Sequence, residues 1–323
     1  MAPTYLITAA NGHIGTRLVP LLLSHPSQPT LVLPTSNAAR LTSSLPADVD
    51  KSRVHVLEGS INNDPAFVDA ALKNHNVTAV FLCLTGSDEL FTTFNFLDSM
   101  RKSSTVKHLV YLSAASDLSL EAQQSGILKD IYCAHVAVKF IVEAKIMRGL
   151  LPRDQEGGFS WTILGPTLFF GNDLMVQREM LEEGVFDAPL GSKGVSRVSE
   201  DDVALATVKA LEDDGKQWGG KKIMIGSLQT YANQKTAQLW SQALGKEIKP
   251  ILSDKASLDG FEQRFAKKAS PAWGRDVRLM YELFEAMPFG ITEEQYNEQV
   301  ALLGKEADSY EKFVEDTGKQ WKQ

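Results

Sequence analysis

Two short segments of the chain combine residue types and spacings that could do chemistry. The first reads Thr8-Ala9-Ala10-Asn11-Gly12-His13-Ile14-Gly15, with the spacing Ala9-x-x-Gly12-x-x-Gly15. It sits between a β-rich run, Tyr5-Leu6-Ile7-Thr8, and an apolar run of helical period, Leu18 to Leu23. In a turn of this kind Gly12 would let the backbone approach a pyrophosphate and Gly15 would let the helix pack closely on the strand. The helix N-terminus would meet the negative charge. Ala9, Asn11, Gly12, His13, Ile14 and Gly15 are therefore candidate dinucleotide contacts, with alanine standing where the fingerprint has its first glycine. The same residues could also form a tight strand-to-helix turn with no ligand.

The stretch after the second β-rich run bears on which dinucleotide is favoured. An NAD site places an acid about 20 residues beyond the glycines, to accept from the ribose 2′-hydroxyl. Leu31 to Ala39 contains no acid, offers Thr35, Ser36 and Asn37 as hydrogen-bond donors, and is followed by Arg40. That pattern favours NADP(H), with Thr35, Ser36 and Arg40 near its 2′-phosphate. The alternative is a polar helix start capped by Ser36 or Asn37, with Arg40 in solvent.

The second segment is Tyr132-Cys133-Ala134-His135-Val136-Ala137-Val138-Lys139. At about 100° per residue, Tyr132, His135 and Lys139 fall within an arc of roughly 60° on an otherwise apolar helix. A buried helix rarely carries such polar heads without partners. Tyr132 and His135 could supply a proton; the plainer reading has Lys139 reaching to the surface and His135 satisfied within the core.

The elements that must position these groups follow from periodicity. Short apolar runs at Tyr5–Thr8, Leu31–Leu33, Val54–Leu57, Ala79–Leu82, His108–Leu112 and Ser160–Leu164 alternate with helical segments, the last a long helix from about Asp130 to Met147. Near-continuously apolar strands separated by helices predict an α/β, Rossmann-type doubly wound parallel sheet. The alternation lapses after Pro166 and resumes with a helix near Asp201 to Leu211 and a strand Lys222–Ile225; beyond Leu228 the pattern is mainly helical. The expected organisation is a nucleotide-binding domain over 1–165 and 195–227, with a smaller, mainly helical C-terminal lobe over 166–194 and 228–323.

Composition narrows the function classes. The 323 residues carry 33 Lys and Arg against 40 Asp and Glu, a net charge of −7, which gives no general attraction to nucleic acid. Basic residues from Lys255 to Arg278 are interleaved with Asp254, Asp259, Glu262 and Asp276, as on a solvated helix face. The two cysteines, Cys83 and Cys133, lie in apolar runs and suit a reducing compartment. No run of about 18 apolar residues and no secretory signal is visible, and no Cys/His spacing matches a metal site, so a cytoplasmic protein without membrane or metal is expected.

Together the Ala9-x-x-Gly12-x-x-Gly15 turn, the His135-x-x-x-Lys139 pair, Ile163-Leu164-Gly165-Pro166-Thr167 and Val195-Ser196-Arg197-Val198-Ser199-Glu200-Asp201-Asp202-Val203-Ala204 resemble the NmrA-like atypical short-chain dehydrogenase/reductases. The resemblance implies a Rossmann domain with a substrate cleft against a C-terminal lobe. It also implies one of two activities: an NADPH-dependent reductase of small, often aromatic, carbonyl or enone metabolites, or a regulator that senses the dinucleotide and binds a protein partner without turnover. Typical short-chain dehydrogenases use Tyr-x-x-x-Lys. Here His135 holds the tyrosine position, so Lys139 would bind the nicotinamide ribose while His135 or Tyr132 donates the proton. Ser113 is retained after the fifth strand. Ser60, beside Ile61, replaces an aspartate that often contacts adenine, and Gly165 replaces an arginine common before Pro166. The implied cleft is lined by Leu84-Thr85-Gly86 and Pro166-Thr167-Leu168 toward the cofactor, and by Phe169, Phe170, Asn172 and Met175 toward an apolar or aromatic substrate. Core packing would also account for those aromatics.

Overall fold

A computed structural model describes residues 2–47, 49–84, 88–117, 120–126, 129 and 131–322, with only the backbone of Leu120 and Gln123. Its first half alternates β1 (Thr4–Ile7), α1 (Gly15–Leu23), β2 (Thr30–Thr35), α2 (Ala38–Ser44), β3 (Val54–Glu58), α3 (Pro65–Asn74), β4 (Ala79–Leu82), α4 (Glu89–Lys102), β5 (His108–Leu112), α5 (Leu120–Gln124), α6 (Ala134–Gly149) and β6 (Ser160–Pro166). There follow β7 (Leu168–Phe169), β8 (Val185–Phe186), β9 (Val195–Val198), α7 (Glu200–Asp213), β10 (Lys221–Ile225), β11 (Thr230–Tyr231), α8 (Asn233–Leu244) and β12 (Lys249–Pro250). The chain closes with α9 (Lys255–Lys268), α10 (Pro271–Ala286), α11 (Glu293–Leu303) and α12 (Tyr310–Trp321).

Seven strands form one parallel sheet in the order β10-β6-β5-β4-β1-β2-β3. The direction of winding reverses at β1, between β2 and β4, and in open sheets of this type the crevice beyond the strand ends at that point is the ligand site. Side chains alternate across the sheet with period two. Tyr5 and Ile7 enter a core shared with α1 and α7, whereas Leu6 enters the opposite core with α3, α4 and α6. Both faces are thus covered, which is why the strands read as unbroken apolar runs.

A separate core gathers α8, α9, α10 and α12 around Trp240, Phe261, Tyr281, Phe284 and Tyr310. Its polar knot is Asp173, which pairs with the fully buried Arg197 and accepts from Trp240 Nε1 at 2.9 Å and from Tyr310 Oη. The Arg197 guanidinium lies 4.5 Å from the Tyr310 ring centroid. Removing either member of such a pair leaves a buried charge unmatched, a loss of roughly 3–5 kcal/mol.

Several boundaries differ from the periodicity reading. Residues 195–198, counted with the nucleotide-binding domain in the sequence reading, form β9, which joins β7 and β11 in a three-stranded sheet of its own. α11, expected in the C-terminal lobe, returns to α7 and β10: Leu302 and Leu303 enter the first core, and buried Gln299 bonds both the amide and the carbonyl of Gly226, at 2.8 and 2.7 Å. α6 starts at Ala134, because Cys133 is extended at φ −74°, ψ 120°; Asp130 lies outside the described residues. Cys83 and Cys133 are free thiols, and burial pushes both up to about 11, so they stay protonated near neutral pH. No helix among the described residues is long and apolar enough to cross a membrane.

At the N-terminal end of β5, His108 is fully buried, with Nδ1 2.8 Å from Ser160 Oγ and Nε2 3.4 Å from Thr162 Oγ1. Burial, opposed by Asp214 and reinforced by Arg153, pushes its imidazole from 6.5 down to about 4. Between those values the unfolded chain takes up a proton that the folded chain refuses. The contribution is therefore complete above about pH 6.5 and is lost as pH falls toward 4, on the order of 3 kcal/mol in all. Urea unfolding should show a steeper acid loss for the wild type than for His108→Gln across that window. Parallel curves would remove His108 as the source.

Candidate functional site

The glycine turn stands at the C-terminal end of β1. Ala9 takes a left-handed backbone, φ 51°, and its carbonyl accepts from the Gly12 amide at 2.8 Å. Left-handed geometry costs an L residue roughly 1–2 kcal/mol, so the alanine preserves the shape of the missing glycine at some strain. A Cβ on Gly15 would lie 2.2 Å from the Ala9 carbonyl oxygen, which no relaxation of a side chain can relieve. At Gly12 the corresponding distance is 3.1 Å, a contact that a shift of a few tenths of an ångström in the turn would relieve. Thr8 braces the turn from below: the Phe81 and Cys83 carbonyls, each 3.1 Å away, share its one hydroxyl proton, and its oxygen accepts from the Cys83 amide at 2.8 Å. Ser44 Oγ donates to Asn11 Oδ1 at 2.7 Å and ties the turn to α2. His13 is exposed at the rim, whereas the Ile14 side chain is in the core, so only the backbone of Ile14 can meet a ligand.

Beyond β2, Asn37 caps α2 by accepting from the Arg40 amide at 2.8 Å. Thr35 Oγ1 accepts from the Asn37 amide at 3.1 Å, and Ser36 and Arg40 are exposed. The strand end carries no acid, as the sequence states, yet an acid reaches it from the side. Glu58, the last residue of β3, accepts from the Ala38 amide through Oε2 at 2.8 Å. Ser60 is exposed and accepts from the Asn63 amide at 3.1 Å, while Ile61 packs against the second sheet core.

The α6 stripe is longer than its sequence reading and starts later. Tyr132 precedes the N-cap, is 69% exposed and does not line the cleft. The reason is Asp276 of α10, which accepts from the Ala134 amide and from His135 Nδ1 and so supplies a carboxylate at the helix N-terminus, where the dipole favours it. Burial pushes the Asp276 carboxyl up, but the hydrogen bond and charge of His135 outweigh it and hold it below the usual range. One turn on, Lys139 is buried and pairs with Glu89 of α4 while donating to the Leu112 carbonyl at 3.3 Å. Tyr111 Oη also donates to Glu89, at 2.7 Å. A further turn on, Glu143 accepts from Ser113 and pairs with Lys222 of β10 at 2.9 Å. Burial pushes the Glu143 carboxyl up and the Lys222 ammonium down, each only partly offset by the other.

Between the sheet ends and α10 lies a cavity of about 410 Å3. His135, Lys139, Ser113 and Leu84 line its sheet side; Pro166, Thr167, Leu168, Phe169, Asn172 and Met175 form one wall, and Trp273, Met280, Tyr281 and Phe284 the other. Phe170 is not part of it. Its ring turns into the C-terminal core, 5.3 Å from Tyr310 and 5.2 Å from Phe313, because the chain enters a 3-10 turn at that residue. Thr85 and Gly86 lie outside the described residues. Glu89, Asp276, Trp273, Met280 and Tyr281 escaped the sequence reading because only the fold brings them here. Glu143 did carry a signal: it continues the His135/Lys139 stripe at the next four-residue step. Among the described residues no group of three or more His, Cys, Asp and Glu could hold a metal ion.

The model of a family described as NAD(P)H-binding matches residues 9–214, from the glycine turn to the end of α7. The chain belongs to that family. It is 31% identical over 178 residues to an oxidoreductase of Pestalotiopsis microspora, an alignment that spans 55% of this chain and 60% of that relative. The fold extends over 97% of this chain and 99% of an NADPH-dependent quinone oxidoreductase of Escherichia coli solved with NADPH, at TM-score 0.71 and 18% identity. It likewise extends over 99% of this chain and 97% of NmrA, a negative transcriptional regulator solved with NADP, at TM-score 0.71 and 13% identity. The residues here fit a dinucleotide: the Gly15 contact holds α1 tight under the turn, and Gly12 presents no side chain above it.

The two glycines should separate by experiment. Gly15→Ala is expected to lose roughly 2–4 kcal/mol of stability or fail to fold, since its Cβ meets backbone. Gly12→Val is expected to keep the fold while losing at least about tenfold in NADPH affinity, the pyrophosphate approach being blocked. Thermal unfolding and calorimetric titration read the two effects; full affinity in Gly12→Val would move the cofactor elsewhere.

Proposed function

We propose that the chain is a reductase that uses NADP(H) to reduce a small apolar or aromatic carbonyl or enone. The observation that carries this reading is the cavity, whose aromatic and sulfur-bearing walls close over Ser113, His135 and Lys139 at the C-terminal ends of the central strands. Such a lining, apolar with a few convergent polar groups, is the usual form of a small-molecule site. The dinucleotide, when bound, supplies a hydride. The turn from Ala9 to Gly15 takes its pyrophosphate, Lys139 its ribose hydroxyls, and Leu84 with Pro166 to Leu168 the wall beside its nicotinamide end. NADP(H) over NAD(H) is supported by the acid-free end of β2, by an exposed Arg40 with no ion pair among the described residues, and by the NADPH and NADP bound to the two similar structures.

His135 is the proton donor in this reading. Asp276 engages Nδ1, which fixes the ring and leaves Nε2 as the nitrogen that can give a proton to a substrate oxygen. Tyr132 drops out, being exposed ahead of the helix. Ser113 already donates to Glu143, so it offers the cavity its lone pairs and serves as an acceptor that orients the substrate or the cofactor amide. A second reading, a cofactor-sensing regulator with a protein partner, draws on the fold likeness to NmrA and on the fact that Lys139 and His135 are both engaged in ion pairs.

Incubation with 4-deuterated NADPH and a panel of aromatic ketones, quinones and enones decides between them. The expected result is deuterium in a product, with His135→Ala slowing turnover by about 10²–10⁴-fold at little cost in cofactor affinity. Lys139→Ala is expected to impair binding and turnover together. Bound NADPH that alters association with a protein partner, with no deuterium moved to any compound, would establish the regulator instead.

A further inference from the structure

The mouth of β2 carries two opposite charges, and the cofactor assignment above uses only one of them, Arg40. Glu58 ends β3 in register with Thr35, the last residue of β2, and its carboxylate crosses to the start of α2 to take the Ala38 amide at 2.8 Å. Arg40 stands one turn along α2, exposed. Neither side chain has an ion-pair partner among the described residues, and the Glu58 charge is met only by the Ala38 amide at the N-terminus of α2.

We propose that Glu58 is the residue that sets the discrimination between NADP(H) and NAD(H), by holding a negative charge and an occupied amide where the 2′-phosphate of NADP(H) must settle beyond β2. The inference rests on the dinucleotide reading of the same site and gives it a tuning element. A 2′-hydroxyl can donate to a carboxylate, whereas a 2′-phosphate meets it as a like charge and must also do without the Ala38 amide. Arg40 acts in the opposite sense, attracting the phosphate and remaining indifferent to the hydroxyl. Preference at this site is therefore a balance of one carboxylate against one guanidinium. The acid-free end of β2 is one part of that balance, and the position that shifts it is on the neighbouring strand.

Calorimetric titration of NADPH and NADH against the full chain tests this without any measurement of turnover. Glu58→Gln keeps an oxygen that can accept from the Ala38 amide, removes the charge and puts an NH2 donor in place of the second oxygen. It should tighten NADPH roughly tenfold and leave NADH within about threefold, since two like charges near contact in water oppose each other by about that factor. Arg40→Ala should weaken NADPH alone. Raising the salt to about 0.5 M should shrink the gap between wild type and Glu58→Gln for NADPH, as screening of an exposed charge requires and as a packing effect would not. If wild type binds both nucleotides and Glu58→Gln leaves the NADPH affinity unchanged or weaker, Glu58 is not the selector, while the dinucleotide reading stands. If wild type binds neither nucleotide, both readings fall.

Discussion

A lysine ammonium buried beneath a cleft has to be neutralised by a fixed partner, and much of this site follows from how Lys139 meets that requirement. Its partner, Glu89, opens α4, directly after the segment that leaves β4; the carboxylate is held in turn by Tyr111 of β5. One ion pair thereby fastens α6, α4 and the ends of β4 and β5 into a single floor. The same arrangement repeats along α6, with His135 answered by Asp276 and Glu143 by Lys222. Each charge on the stripe is met by a different element, so the helix cannot rotate or slide without exposing or orphaning all three. Buried pairs contribute little net stability but impose one geometry, and that geometry is what a hydride-transfer site would need.

The C-terminal body closes the cleft from the other side and depends on its own buried knot. Arg197, Asp173, Trp240 and Tyr310 come from β9, the turn after β7, α8 and α12, and they hold the wall-bearing segments at fixed distances. Phe170 belongs to this knot's packing, which is why the neighbouring Phe169 can face the cavity. α10 contributes twice: its apolar face walls the cavity, and Asp276 reaches back to start α6.

What the sequence made legible was whatever rests on local rules. Period-two burial and helical spacing located the central strands, the glycine spacing located the turn, and the i, i+4 step joined His135 to Lys139. What it left hidden depends on distant partners. The start of α6 is set by Asp276, 141 positions later than His135, so extending the helix back through Tyr132 was the natural error. Glu58 looks like an ordinary end of strand until β3 is laid beside β2. β9 and α11 are short amphipathic segments that suit either body, and only the three-dimensional fit assigns them. Phe169 and Phe170 are chemically identical neighbours that a 3-10 turn sends to opposite destinations.

The left-handed alanine at the glycine turn has a consequence for the order in which binding events occur. A glycine at position 9 would sample many backbone states in the free protein and would have to be gathered into one as a nucleotide arrived. Ala9 has fewer states to visit, and its carbonyl is held by the Gly12 amide while the flanking Thr8 and Asn11 are tied to Cys83 and Ser44. The strain is borne during folding and not at encounter. The turn therefore exists in finished form before any ligand reaches it.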